Sequence, residues 1–151
     1  VRLSAFIPDS YIESKSARMD AYKEIAEIAS EKEEKELIAA LSDNYGELPA
    51  ETENLILISV VKRLAMKFGA DLVTVTKAEA SIAFDNYKAF ANEGLQRALD
   101  AYGKETSVVM TGAPKIAFDK RGGDNYESLR LMRAFLERAA AELPEKTKNA
   151  E

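Results

Sequence analysis

The first half of the chain repeats apolar residues every three or four positions, a spacing that predicts amphipathic helices. The first predicted helix opens near Ser14 or Ser16. Its predicted buried face consists of Met19, Tyr22, Ile25, Ala26 and Ala29. A second helix is predicted over residues 31–45, because Ser30 and Glu33 have the spacing of a capping box, which satisfies free amides at a helix start.

A third helix is predicted from Glu51 to Phe68 and is apolar on more than one side. Such a helix is expected in the middle of a fold. Before the first helix, Val1 to Ile7 alternates loosely and stops at Pro8, which predicts a short strand.

The second half of the chain alternates apolar and polar residues in two places. Residues 71–84 and 107–118 each alternate on both sides of a turn, which predicts two β-hairpins. One helix, capped by Asp85 or Asn86 and stopping at Gly103, is predicted between them. A last helix begins with an acidic cap at Asp124 and is expected to end at Pro144.

This order of elements predicts an α+β fold, in which a helical front half of three helices packs with antiparallel hairpins and two further helices. No repeat of 20–50 residues and no linker rich in Pro, Gly or Ser divides the chain. We therefore expect one domain over residues 1–143 and a polar, disordered tail over residues 144–151.

Composition removes several classes of function. The net charge is −5 and the pI is near 5.0, so a nucleic-acid backbone is not an expected direct partner. The chain has no Cys and no His, which excludes disulfides, the usual zinc sites, Cys nucleophiles and His general bases. The glycines near basic residues do not form a phosphate-binding loop. No apolar run reaches the ~20 residues of a membrane span. We expect no metal, no cofactor and no membrane partner.

The richest motif is Leu-Ser-Asp-Asn-Tyr-Gly-Glu-Leu-Pro at residues 41–49. From the residues alone it is a helix end: Gly46 suits the left-handed residue after a helix, and Pro49 prevents continuation. Asp43 does not fit that interpretation, because a carboxylate in the last turn opposes the helix dipole at a cost of about 0.3–1 kcal/mol. A residue whose charge opposes the helix dipole, with no neighbouring group to compensate, is a candidate for contact with a partner.

With its neighbours, this motif resembles the C-terminal domain of bacterial transcription-repair coupling factors. The family's Asp-Arg-Phe/Tyr-Gly-x-Leu-Pro signature resembles residues 43–49, and its entry motif resembles residues 7–26. The signature residues with mainly structural roles are Pro8, Tyr11, Ile12, Arg18, Tyr22, Tyr45, Gly46, Pro49, Asn54 and Leu55. The resemblance favours an extended Tyr11-Ile12 and covers residues 3–69 well.

The resemblance implies a regulatory domain rather than an enzyme. Such a domain docks on the UvrB-like N-terminal module of its own parent chain and masks the surface that binds UvrA. The parent is an ATP-dependent DNA translocase of the bacterial cytoplasm. The docked state lasts until the parent engages RNA polymerase. The family's docking pattern, roughly Glu-Leu-Ile-Asp-Arg, matches residues 40–44. Here only Asp43 keeps its charge, since Ala40 replaces an acid and Asn44 replaces an arginine. The alternatives are a small α+β enzyme that uses carboxylates and a module that binds RNA polymerase.

Overall fold

The computed structural model describes residues 5–76, 78–120 and 124–150, with side chains described as far as residue 141. The chain divides into two compact units. One is a helical unit, Leu3–Arg63, and the other is a sheet unit made of Leu64–Glu151 together with Val1–Arg2. Across the described residues there are five α-helices and a four-stranded antiparallel sheet, which confirms the α+β prediction.

The helical unit contains α1 (Lys15–Ala26), α2 (Glu31–Tyr45) and most of α3 (Ala50–Lys67). Ser14 caps α1, as expected, by accepting a hydrogen bond from Ala17 N at 3.1 Å. At the start of α2 the Ser30 Oγ accepts from Glu33 N at 3.1 Å. The Glu33 carboxylate accepts from Ala29 N at 2.8 Å, one residue before the partner that a standard capping box uses.

The predicted buried face of the first helix was wrong in part. Met19 is 59% exposed, and Ala26 and Ala29 are exposed as well, whereas Ala21 and Ile28 are buried. Most of the predicted strand lies in residues 1–4, outside the described residues, and residues 5–7 are not part of a strand. Phe6 instead binds the start of α3, because its N donates to Glu51 O and its O accepts from the Thr52 hydroxyl, both at 3.2 Å.

The sheet unit contains β1 (Ala70–Val75), β2 (Ala80–Phe84), β3 (Thr106–Val109) and β4 (Lys115–Phe118). Both predicted hairpins are present, β1 with β2 and β3 with β4. The spatial order is β1-β2-β4-β3, so the two hairpins join through the antiparallel pairing of β2 with β4.

One face of this sheet forms the core of the sheet unit. Ile82 of β2 and Ile116 of β4 are register partners and both are fully buried. Phe118 of β4 packs edge-on against Phe135, with ring centroids 5.2 Å apart. The opposite face carries an ion pair between Lys115 Nζ and Glu79 Oε2 at 2.9 Å.

The predicted helix between the hairpins was wrong in one respect, because it is two helices. A short 3-10 helix at Tyr87–Ala91 is capped by Asn86, and α4 (Glu93–Ala101) is capped by Asn92, whose Oδ1 accepts from Leu95 N at 2.9 Å. A second capping asparagine six residues after the first starts a new helix, since its side chain satisfies amides that a continuous helix would pair internally.

The last helix, α5 (Asn125–Ala150), begins with the expected acidic cap at Asp124, which forms a capping box with Glu127. Glu127 N donates to Asp124 Oδ1 at 2.8 Å, and Asp124 N donates to Glu127 Oε1 at 3.1 Å. The expected end at Pro144 was wrong, because the backbone remains helical to Ala150. A proline removes one amide from the helix, and the preceding turns are held by side chains buried in the sheet unit, among them Leu136 and Ala139.

Candidate functional site: the end of α2

The C-terminal turn of α2 presents the residues that the sequence marks for partner binding. The helix ends at Tyr45, and Gly46 follows with a φ of 91°, in the left-handed region that favours glycine. Gly46 N donates to Ser42 O at 2.9 Å and so closes the last turn. The last turn holds no basic residue to offset the charge of Asp43 at the negative end of the helix dipole.

Ala40, Asp43 and Asn44 are all exposed. Their spacing of three and four residues places them on one side of the helix. Leu41, on another side, is buried. We call these three exposed residues the α2 end face, and its single charged group is the Asp43 carboxylate.

Tyr11 binds the end of α2 from another part of the helical unit. Its hydroxyl lies 3.1 Å from Leu41 O and 2.8 Å from Gly46 O, and it donates to these carbonyls. Its ring packs against that of Tyr45, with centroids 5.7 Å apart and planes inclined by 58°. Partial burial, and after it the nearby Tyr45, raise the pKa of Tyr11 above 10.0, which keeps the phenol protonated and able to donate.

The loop that carries Tyr11 is fixed to α1. Pro8 O accepts from Tyr11 N at 3.0 Å, so Tyr11 lies in a turn, and the expected extended conformation was wrong. Arg18 Nη1 donates to Ile12 O at 2.9 Å, and Arg18 Nε lies 3.6 Å from Asp9 Oδ1. The Ile12 side chain is 1% exposed. A buried side chain and a charge-assisted hydrogen bond therefore hold the residue next to Tyr11.

The remaining signature residues have local structural positions. The Tyr22 hydroxyl accepts from Ile7 N at 2.9 Å. Pro49 O accepts from the amides of residues 52 and 53, both at 3.0 Å, at the start of α3. Asn54 and Leu55 lie in the early turns of α3 and are half-buried.

The charge of the chain is concentrated in the helical unit. Leu3–Arg63 holds thirteen Asp and Glu residues against seven Lys and Arg residues, a difference of −6. The rest of the chain holds thirteen acidic and fourteen basic residues, a difference of +1. A surface of the helical unit therefore suits a basic partner.

The described side chains form no group of three or more Asp or Glu residues arranged to hold a metal ion. Within the same described part, none of the helices has the length and apolar character needed to cross a membrane. What the α2 end face offers is one carboxylate on an ordered helix end, which can bind a basic group of a partner.

Sequence reasoning found the exposed α2 end face and missed the role of the Tyr11 hydroxyl. The acceptors of that hydroxyl lie 30 and 35 residues further along the chain. No spacing rule connects positions so far apart. The one signal in the sequence was that Tyr11 and Gly46 both lie in the motifs that carry the family resemblance.

Comparisons with known proteins agree on one family. A family model described as the TRCF domain matches residues 1–95. Three similar relatives carry the name transcription-repair-coupling factor: one from Buchnera aphidicola, 31% identical over 72% of this chain, one from Bacillus subtilis, 30% identical over 81%, and one from Haemophilus influenzae, 29% identical over 93%. The chain spans 13%, 11% and 12% of these relatives' lengths.

Among solved structures, the chain is similar to a crystal structure of the C-terminal domain of transcription-repair coupling factor. The TM-score is 0.81 at 23% sequence identity, and the match covers 93% of this chain and 89% of that one. This likeness shows that the two chains share a fold.

Proposed function

The chain belongs to the TRCF domain family, and from that premise we propose that it is a non-catalytic regulatory domain of a transcription-repair coupling factor in the bacterial cytoplasm. It docks through the α2 end face on a UvrB-like N-terminal module of its own parent chain. In the docked state it masks the surface that binds UvrA in transcription-coupled nucleotide excision repair. Engagement of RNA polymerase by the parent releases it.

The observation that carries this proposal is the position of Asp43. The carboxylate is exposed in the last turn of α2, where it opposes the helix dipole and where no basic residue of that turn offsets it. A basic group on a partner would supply the missing counter-charge. The −6 charge of the helical unit adds longer-range attraction to such a partner.

The neighbours of Asp43 determine how strong this contact is. Ala40 and Asn44 share its exposed face and carry no charge. A single charged group at the contact favours the docked state by a few kcal/mol at most. Engagement of RNA polymerase must contribute more free energy than that to shift the population from the docked to the released state. A weakly held closed state is what a regulatory switch requires.

The test is Asp43→Lys in the full-length parent protein, with UvrA affinity as the readout. Repulsion replaces attraction at the contact, so the parent opens and UvrA binds more tightly. The 151-residue chain itself should be as stable as before, or more stable by about 0.3–1 kcal/mol, because a cation suits the end of a helix.

Asp20→Lys is the matched control, since Asp20 is an exposed acid on α1 and the charge change is the same. It should leave UvrA affinity unchanged. Equal effects of the two substitutions would mean that total charge, and not the α2 end face, governs docking. An unchanged UvrA affinity in the Asp43→Lys protein would overturn the proposal.

A further inference from the structure

One hydroxyl group contacts both ends of the segment that carries Asp43 and Asn44. The Tyr11 hydroxyl lies 3.1 Å from Leu41 O and 2.8 Å from Gly46 O. Asp43 and Asn44 lie between these two carbonyls in the chain. A donor shared between the two carbonyls restrains the whole segment 41–46, because the segment cannot unwind without breaking at least one of the two contacts.

The end of α2 needs such a restraint. The last carbonyls of a helix have no partners within the helix, and helix ends fray. Asp43 adds an unfavourable interaction with the dipole, and no basic side chain lies in the turn to counter it. Gly46, at a φ of 91°, gives the backbone after the helix more freedom than any other residue type would.

Tyr11 is able to supply the restraint because it is itself held in place. Its backbone N donates to Pro8 O, and the next residue is fixed by the hydrogen bond from Arg18 to Ile12 O at 2.9 Å. Its ring also contacts Tyr45, the last residue of α2. The hydroxyl therefore reaches the helix end from a fixed point on the same unit.

We propose that Tyr11 is a positioning residue for docking: its hydroxyl holds residues 41–46 in one conformation, so that the Asp43 carboxylate meets a basic partner already ordered. This inference rests on the proposed function, because it assumes that Asp43 contacts the partner. Without the hydroxyl, only part of the population has an ordered α2 end, and the apparent affinity for the partner falls in proportion to that part.

The experiment uses Tyr11→Phe in the full-length parent, which keeps the ring contact with Tyr45 and removes only the hydroxyl. Docking weakens, and UvrA affinity rises about two- to tenfold, the factor that corresponds to one hydrogen bond. Tyr22→Phe is the matched control, since it also removes a phenolic hydroxyl that binds backbone in the same unit, at Ile7 N. It should leave UvrA affinity unchanged.

Amide hydrogen exchange tests the physical cause in the same proteins. Exchange at residues 42–46 should be faster in the Tyr11→Phe protein than in wild type, and unchanged in the Tyr22→Phe protein. A general loss of stability would accelerate exchange throughout the helical unit in both variants. Unchanged exchange at residues 42–46 in the Tyr11→Phe protein would overturn the positioning role.

A double-mutant cycle separates this inference from the proposed function. If Tyr11 acts through Asp43, Tyr11→Phe has little further effect on UvrA affinity once Asp43→Asn is present. Additive effects would show that Tyr11 acts independently of Asp43, and the inference would fail. If Asp43→Asn alone raises UvrA affinity and Tyr11→Phe does not, the inference fails and the proposed function stands. If Asp43→Asn alone has no effect, both fail.

Discussion

Gly94 of α4 lies close against the backbone of α5, and this contact makes a sharp prediction for Gly94→Ala. A Cβ added at residue 94 would lie 2.3 Å from Ala139 O, a backbone atom of α5, and 3.2 Å from Asn92 Oδ1. Real Cβ atoms essentially never approach closer than 3.0 Å, so α4 and α5 would have to separate by about 0.7 Å. Leu95 and Ala98 of α4 are fully buried, and they would lose packing contacts as the helices part.

The expected change in the free energy of unfolding combines two destabilising effects and one stabilising effect. A gap of 0.5–1 Å removes about a quarter to a half of the dispersion energy of each contact across it, and overpacking of this kind costs about 1–3 kcal/mol. Displacing Asn92 also weakens its capping bond to Leu95 N. Alanine in place of glycine returns about 0.4–1 kcal/mol by restricting the unfolded chain. We expect the free energy of unfolding of Gly94→Ala to fall by about 1–2 kcal/mol.

The assay is urea unfolding of the 151-residue chain followed by far-UV circular dichroism, with Gly103→Ala as the matched control. At Gly103 the nearest atoms to an added Cβ are Asp100 O at 3.5 Å and Leu99 O at 3.6 Å, which is ordinary contact. That control should unfold at the wild-type urea midpoint or slightly above it. If Gly94→Ala is as stable as Gly103→Ala, the close packing of α4 on α5 is wrong.

Two further predictions concern α3 and the sheet. Leu64→Ala should lower the free energy of unfolding by about 2–5 kcal/mol, because Leu64 is buried. Ile58→Ala should lower it distinctly less, because Ile58 is half-buried. Equal urea midpoints for the two variants would contradict this expectation. Hydrogen bonds from Ser81 at 2.5 Å and Lys115 at 2.9 Å lower the pKa of Glu79 below 4.5. The advantage of wild type over Glu79→Gln should therefore be present above pH about 4.5 and decline as the pH falls through the lowered pKa; a difference in urea midpoint that stays constant between pH 7 and pH 3 would argue against it.

Features that depend on a few neighbouring residues were predicted well from the sequence. The caps at Ser14 and Ser30, the capping box at Asp124 and the glycine after α2 all lie where their motifs placed them. Each of these interactions joins residues at most four positions apart. Local hydrogen bonding decides such features before any tertiary contact forms.

Predictions failed where a tertiary contact, or a second local signal, competed with the local signal on which the prediction was based. Met19 fits a helical stripe but is exposed, since the side of α1 that is buried is the one with Ala21 and Ile25. The helix expected from residue 86 to residue 103 is interrupted because Asn92 starts a new one. Periodicity shows that a helix has an apolar side, and it does not show which of two overlapping apolar sides meets the core.

For the candidate site, the exposure of Asp43 agrees with what its unfavourable place in the helix suggested, and its docking role remains a proposal. The restraint on the same turn was not predictable, because the Tyr11 hydroxyl reaches carbonyls 30 and 35 residues away. A tyrosine in a turn belongs to no local motif that identifies the acceptor of its hydroxyl group.

The amino-acid sequence by itself determined the fold class, the bounds of α2, the bounds of α3 to within one residue, the two hairpins and the family. Only the tertiary structure decided that β2 pairs with β4, that Phe6 binds the start of α3, and that Tyr11 closes the end of α2. The physical reason is how far apart along the chain the contacting residues lie. Caps and turns are selected by bonds between near neighbours, whereas contacts across 30 residues or more form only when burial of the whole core outweighs the entropy of closing the intervening chain.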